Sequence, residues 1–244
     1  MISVCMATYN GENFIAEQLQ SILSQLSRDD EVVISDDGSS DQTLDVINSL
    51  KDDRIKVFLN QGPHGFTHNF ENALKHACGD YIFLSDQDDV WKPRKVAIVM
   101  EALQRVDFVI TDNTTVDGDF NEIQKSRIDA FNLQLGFWRH LLKSRFLGCC
   151  MAFRRNVLEA SLPFPENDFL VEHDIWLAAV AFLYFKSELI ADSLIYYRRH
   201  GKNASEGGFT KGSSLKVKIQ KRIYRLYHLL AIRKKVKKIM SNEK

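Results

Sequence analysis

The chain has 244 residues, 45% of them hydrophobic and 26% charged, which allows one good core, or one core plus a small appendage. The formal net charge is zero, yet residues 209–244 hold 12 of the 32 Lys+Arg and one acid, Glu243, so a body near −11 precedes a tail near +11. The longest apolar stretch, Ile175 to Phe185, is 11 residues, too short to span a bilayer.

The start, Met1-Ile2-Ser3-Val4, lacks a basic leader and reads as a strand continuing to Ala7. Asn10 is a candidate cap for a helix with Ile15, Leu19, Ile22, Leu23 and Leu26 on one face. A second strand, Glu31 to Ser35, ends in Asp36-Asp37-Gly38. Ser39 with Gln42 forms a capping-box pattern before the next helix. Ile55 to Leu59 is a third strand, 66–77 a helix, and Tyr81 to Leu84 a fourth strand. Pro93 suits a helix first turn, and that helix runs to about Arg105 before a fifth strand, Phe108 to Ile110. Residues 113–145 are less regular and are expected outside the sheet. Leu147 to Phe153 is another apolar run, 172–185 a buried helix, and Glu188 to Tyr197 strand-like. Strands alternating with helices predict an α/β fold with a doubly wound, mostly parallel sheet and helices on both faces. The four cysteines (Cys5, Cys78, Cys149, Cys150) show neither zinc spacing nor a disulfide framework, which predicts buried, reduced thiols in a cytosolic protein.

Polar clusters follow three of these strands: Ala7-Thr8-Tyr9-Asn10, Asp36-Asp37-Gly38-Ser39 and Asp86-Gln87-Asp88-Asp89. In a parallel sheet those ends share one edge, where open α/β sheets bind ligands. Neither a Gly-x-Gly-x-x-Gly nor a P-loop sequence is present, so a diphosphate needs another form of neutralisation. Mg²⁺ or Mn²⁺ held by Asp86 and Asp88 supplies it, because these ions favour carboxylate oxygens and substrate phosphates. The same acids also fit an acidic surface turn. Asp36 or Asp37 can accept from a base N–H or a ribose hydroxyl, or can form a turn that complements a helix dipole. In Glu172-His173-Asp174 a carboxylate can serve as general base or as helix cap. In Tyr197-Arg198-Arg199-His200-Gly201-Lys202-Asn203, a neutral His200 suits a third metal ligand and Arg198, Arg199 and Lys202 suit phosphates.

Taken in order, Ala7-Thr8-Tyr9-Asn10-Gly11, Ser35 to Asp41, Gly79 to Trp91 and His173-Asp174-Ile175-Trp176 resemble the inverting family-two glycosyltransferases of the GT-A fold. Asp86 to Trp91 with Tyr197 to Asn203 is most similar to the bacterial rhamnosyltransferase-like branch. The resemblance implies that Ala7, Thr8, Tyr9, Glu12, Asp36, Asp37 and Asp86 hold the nucleotide. It makes Asp86 and Asp88 the metal pair with His200 beside them, and Asp174 the catalytic base. Trp91, His173, Trp176, Arg198, Arg199 and Lys202 are expected near the diphosphate or acceptor. His173 is a departure, since the family often has Glu there. The implied reaction is metal-assisted single displacement with inversion, in bacterial surface polysaccharide synthesis. It moves a sugar, rhamnose or another hexose, from a UDP- or dTDP-linked donor to a glycan or lipid-linked acceptor. The rivals are a non-catalytic sugar-nucleotide-binding assembly subunit and a sugar nucleotidyltransferase. The latter usually needs a Gly- and Arg/Lys-rich loop that Ala7-Thr8-Tyr9-Asn10 does not offer.

The implied domain is 1–208, with a nucleotide-binding half (1–112) and an acceptor-binding half (113–208), followed by a basic helical tail, 209–244. Leu215, Ile219, Ile223, Leu226 and Leu230, spaced 4, 4, 3 and 4, give the tail an apolar stripe. The stripe suits an anionic membrane surface on the cytoplasmic side, the body, or another subunit. Nucleic acid is not the expected partner.

Overall fold

The computed structural model describes residues 1–201 and 214–242; Lys202 and Asn203 lie outside the described residues. Four strands form the parallel half of a single sheet: β1 (Ile2–Thr8), β2 (Glu31–Asp36), β3 (Ile55–Leu59) and β4 (Tyr81–Asp86), in the order β3-β2-β1-β4. β1 and β2 are nearly continuous apolar runs because helices cover both faces, as parallel sheets require. The other half is mixed. β8 (Met151–Arg154) runs antiparallel to both β4 and β6 (Phe108–Val116), and β6 pairs parallel with β9 (Ser187–Arg198). Short strands β5 (Val90–Trp91) and β7 (Glu122–Gln124) pair antiparallel with β9 and β6.

Helices α1 (Ile15–Leu23), α2 (Thr43–Ser49), α3 (Phe66–His76) and α4 (Lys95–Leu103) alternate with the first strands. α5 (Arg127–Phe131) and α6 (Phe137–Leu142) fill the irregular segment. α7 (Arg155–Ser161), α8 (His173–Tyr184) and the long α9 (Leu215–Asn242) pack together beside the sheet. Among the described residues no helix is long and apolar enough to cross a membrane.

Several local expectations are corrected. α1 starts five residues after Asn10, which adopts the left-handed conformation (φ 48°) and accepts the N–H of Ser40 through Oδ1. An Asn tolerates that conformation, and the loop bond draws the side chain away from capping. Ser39 likewise knots the β2 loop by donating to Asp36 rather than opening α2. Residues 113–116 and 122–124, expected outside the sheet, belong to it as the end of β6 and as β7. Cys5, Cys149 and Cys150 are buried, but Cys78 is exposed. The tail stripe does not pack on the body. α9 buries Arg225, Leu229 and Val236 instead, leaving Leu215, Ile219, Ile223 and Leu230 exposed.

Candidate active site

The carboxyl ends of β1, β2 and β4 open into a cleft of about 690 Å³. Register explains the convergence: Thr8 sits beside Asp36, and Ala7 beside Asp86. Ala7, Thr8, Tyr9, Asp37, Asp86 and Asp88 line the cleft, and His173 and Asp174 enter it from the first turn of α8.

The two adjacent acids after β2 have different tasks. Asp36 is fully buried and accepts from Thr8 Oγ1 (3.0 Å), Ser39 Oγ (2.5 Å) and the N–H groups of Gly38 and Ser39. It fastens the loop and leaves the cleft to Asp37. Asp37 accepts from Asn60 Nδ2 (2.7 Å), His64 Nδ1 (3.0 Å) and Gly65 N–H (2.8 Å), drawing the 60–65 loop over the cleft. Gly65 makes that approach at φ 113°, where a side chain is strained. Glu12 does not line the cleft. Its carboxylate accepts the N–H of Gln42 at the start of α2.

Asp86 and Asp88 both face the cleft. Burial, then the neighbouring charge of Asp88, pushes the Asp86 carboxyl up to about 7. Asp88 Oδ2 lies 2.9 Å from His200 Nε2, and the His200 ring stacks on Phe14 with centroids 4.4 Å apart. Asp89 is fully buried behind them. It accepts the Arg198 N–H at Oδ1, while Oδ2 has no partner among the described residues. Burial, then Asp88 and Asp86, raises the Asp89 carboxyl well above its ordinary range. Asp86, Asp89 and Cys149 bring ligand-type atoms within 4.8 Å of one another. The buried Cys149 thiol is pushed well up and stays protonated, a poor donor for a hard cation. The oxygen pair Asp86 and Asp88, with His200 adjoining, fits Mg²⁺ or Mn²⁺ and diphosphate oxygens better. A cation there relieves the repulsion that raises Asp86.

Asp174 lies on the opposite wall. Burial first, then Glu172, raises its carboxyl to about 8, with Asp86 a smaller contribution; the N–H of Ile175, donated at 2.6 Å, opposes the shift. His173 is buried with neither ring nitrogen bonded among the described residues, and its ring stacks on Phe70 at 4.2 Å. Burial lowers it to about 3, so at neutral pH it brings no charge to the cleft. Glu172 also lines the cleft, its carboxyl raised by burial.

Four expected neighbours of the diphosphate or acceptor lie elsewhere. Trp91 is buried against Phe83, beneath the sheet edge. Trp176 is buried and donates Nε1–H to Ser161 O at 2.9 Å, because it sits two residues past Asp174 on the core side of α8. Arg198 is buried, paired with Glu17 and stacked over Phe120 at 4.3 Å. Arg199 ties its N–H to Val116 O. Neither arginine is among the residues lining the cleft. Residues not singled out from sequence do line it. Gln87 exchanges two 3.0 Å bonds with the Tyr9 backbone. Asn69 donates to Thr8 O at 3.0 Å, and its buried Oδ1 is unpartnered among the described residues. Gln87 stood inside the acidic motif, but Asn69 sits in the first turn of α3 with no sequence signal.

The fold agrees with known proteins. A 32% identical glycosyltransferase of Nostoc sp., itself uncharacterized, matches 83% of this chain and 66% of its own length. An Escherichia coli UDP-Glc:alpha-D-GlcNAc-diphosphoundecaprenol beta-1,3-glucosyltransferase is 29% identical over 73% of the chain and 69% of its own length. Among solved structures, S. aureus TarS 1-349 with UDP-GlcNAc superposes with a TM-score of 0.68 at 21% identity, covering 87% of this chain and 62% of TarS 1-349. A Pyrobaculum calidifontis mannosyltransferase with GDP-Man and Mn²⁺ gives 0.63 at 23% identity, covering 82% and 57%. The chain thus spans about two thirds of the length of these curated relatives. The family model described as glycosyl transferase family 2 matches residues 3–162, and the chain, with its GT-A fold, belongs to that family.

Proposed function

We propose that this chain transfers a hexosyl residue from a UDP-sugar to a lipid-linked or glycan acceptor, by single displacement with inversion, in surface polysaccharide synthesis. The observation that carries the reading is the shared cleft: Asp37, Asp86 and Asp88 on the strand ends, with Asp174 on the facing helix. UDP-Glc, UDP-GlcNAc and GDP-Man are the donors of the relatives, which favours a UDP-hexose among the rhamnose or other hexose donors that the sequence left open. An undecaprenyl-diphosphate acceptor in one relative supports the lipid-linked class.

Thr8, Tyr9, Asp37 and Asn69 surround the nucleotide, with Asn69 Oδ1 and the remaining lone pairs of Asp37 as acceptors for base or ribose donors. Asp86 and Asp88, with His200, hold the divalent cation. When bound, that ion neutralises charge developing on the leaving diphosphate. Asp174 takes the acceptor hydroxyl proton as the oxygen attacks the anomeric carbon from the face opposite the leaving group. With its carboxyl raised to about 8, only the ionised fraction acts as base, and that fraction is a stronger base than an exposed carboxylate. Neutral His173 packs beside it without competing for the proton.

The test is incubation with a panel of UDP-, dTDP- and GDP-sugars, Mg²⁺ or Mn²⁺, and undecaprenyl-diphosphate-linked acceptors. Release of nucleoside diphosphate with glycosylated acceptor is the expected result. Pyrophosphate release would identify a nucleotidyltransferase. Tight donor binding without turnover on any acceptor would identify a non-catalytic subunit.

A further inference from the structure

Helix α9 carries two apolar rows, and the body covers only one. Leu229, Ile232, Val236 and Ile239 recur at 3- and 4-residue spacing and pack toward the core. Tyr184 Oη donates to Leu229 O at 2.7 Å on that side. The second row lies roughly 120° round the helix. Its members Leu215, Ile219, Ile223 and Leu230, with Tyr227 beside them, are 46–72% exposed.

Other exposed apolar side chains lie next to this row. Arg222 donates to the carbonyls of Leu141 and Leu142, which brings the end of α6 alongside α9. Leu142 and Trp138 on α6 project into solvent. A contiguous outward patch of this kind marks an interaction surface. Its chemistry selects the partner. Leu215–Asn242 contains 10 Lys+Arg and no Asp or Glu, and beyond Leu230 the exposed row continues as Arg233, Lys234, Lys237 and Lys238. Aliphatic and Trp/Tyr side chains flanked by bases match the boundary of a bilayer with anionic headgroups. Pairing with the same helix of a second copy fits less well, since α9 has no acid to pair with the partner's bases.

We propose that the outward face of α9, with Trp138 and Leu142 beside it, docks on an anionic lipid bilayer. α9 packs on α8, whose first turn carries His173 and Asp174, so a docked α9 ties this wall of the cleft to the membrane surface. The surface stands independently of the donor and the chemistry.

The test is flotation of the full chain, without sugar nucleotide, on phosphatidylcholine vesicles and on vesicles with phosphatidylglycerol added. Binding should require phosphatidylglycerol and weaken with salt. Each Lys→Gln change at Lys234, Lys237 or Lys238 should lower the partition coefficient about fivefold. The pair Ile223→Ser and Leu230→Ser should lower it at least tenfold. Far-ultraviolet circular dichroism, unfolding temperature and donor affinity should stay native in these variants. Failure of the folded wild type to bind anionic vesicles overturns the proposal. So does equal binding to neutral vesicles, or binding that survives both sets of changes. A wild type that is dimeric by ultracentrifugation, becomes monomeric on Ile223→Ser/Leu230→Ser and ignores vesicles assigns the face to a second copy instead.

Discussion

Replacing Asp174 by Asn should make the protein more stable and nearly inactive. The Asp174 carboxyl is raised from its ordinary 3.8 to about 8, chiefly by burial and by Glu172. The folded state therefore holds a proton that the unfolded state lacks between those two values. The sign follows: wild-type stability is fully present below pH 3.8 and declines as pH rises through about 8. At pH 7 the burden is 2.303RT times the gap between 7 and 3.8, about 4 kcal/mol. Asparagine keeps the acceptor for the Ile175 N–H and carries no charge, so it removes most of that burden. For 244 residues, about 4 kcal/mol corresponds to a rise in unfolding temperature of roughly 8 °C or more. Denaturant or thermal unfolding of both proteins at pH 4, 7 and 8.5 should show an advantage for Asn that is small in acid and grows with pH. Turnover should fall by about 10²–10⁴-fold, the range for loss of a general base. A stability gain that is flat with pH refutes the burial argument, and near-native turnover refutes the base assignment.

Asp88→Ala should weaken calorimetric UDP affinity in Mn²⁺ at least tenfold and abolish its dependence on the ion; an unchanged affinity removes Asp88 from the cation site. Gly148→Ala places a Cβ 2.8 Å from His173 Nε2 and 3.4 Å from Asp174 Cβ, so kcat/KM should drop roughly tenfold or more with a stability loss of about 1–2 kcal/mol. Equal kcat/KM would show that the His173 ring moves aside freely. Gly79→Ala brings a Cβ to 2.7 Å from the Ser3 backbone N, at the β1–β4 start far from the cleft. It should lower unfolding free energy by about 1–3 kcal/mol with kcat intact, and a kcat change without destabilisation would contradict the register.

The parallel half of the sheet was legible in the sequence because each strand is a short apolar run closed by polar residues. Periodicity reports burial, and burial on both faces is what a central parallel strand needs. The placement of Asp37, Asp86 and Asp88 at one cleft followed from motif order, since strand ends of a parallel sheet share an edge, whereas Asp174, on α8, was implied only by the family resemblance. The sequence by itself could not divide labour within these clusters. Asp36 and Asp37 are chemically identical neighbours, and the turn at the end of β2 sends one into the loop network and the other into the cleft. Trp91 and Trp176 stood inside matching motifs, yet their side chains point into the core. In α9 both apolar rows are visible as spacing, and only packing against α7 and α8 decides which is covered. Local pattern is set by residue order along one element, whereas orientation and proton affinity depend on neighbours brought in from distant segments, and these exist only once the chain has folded.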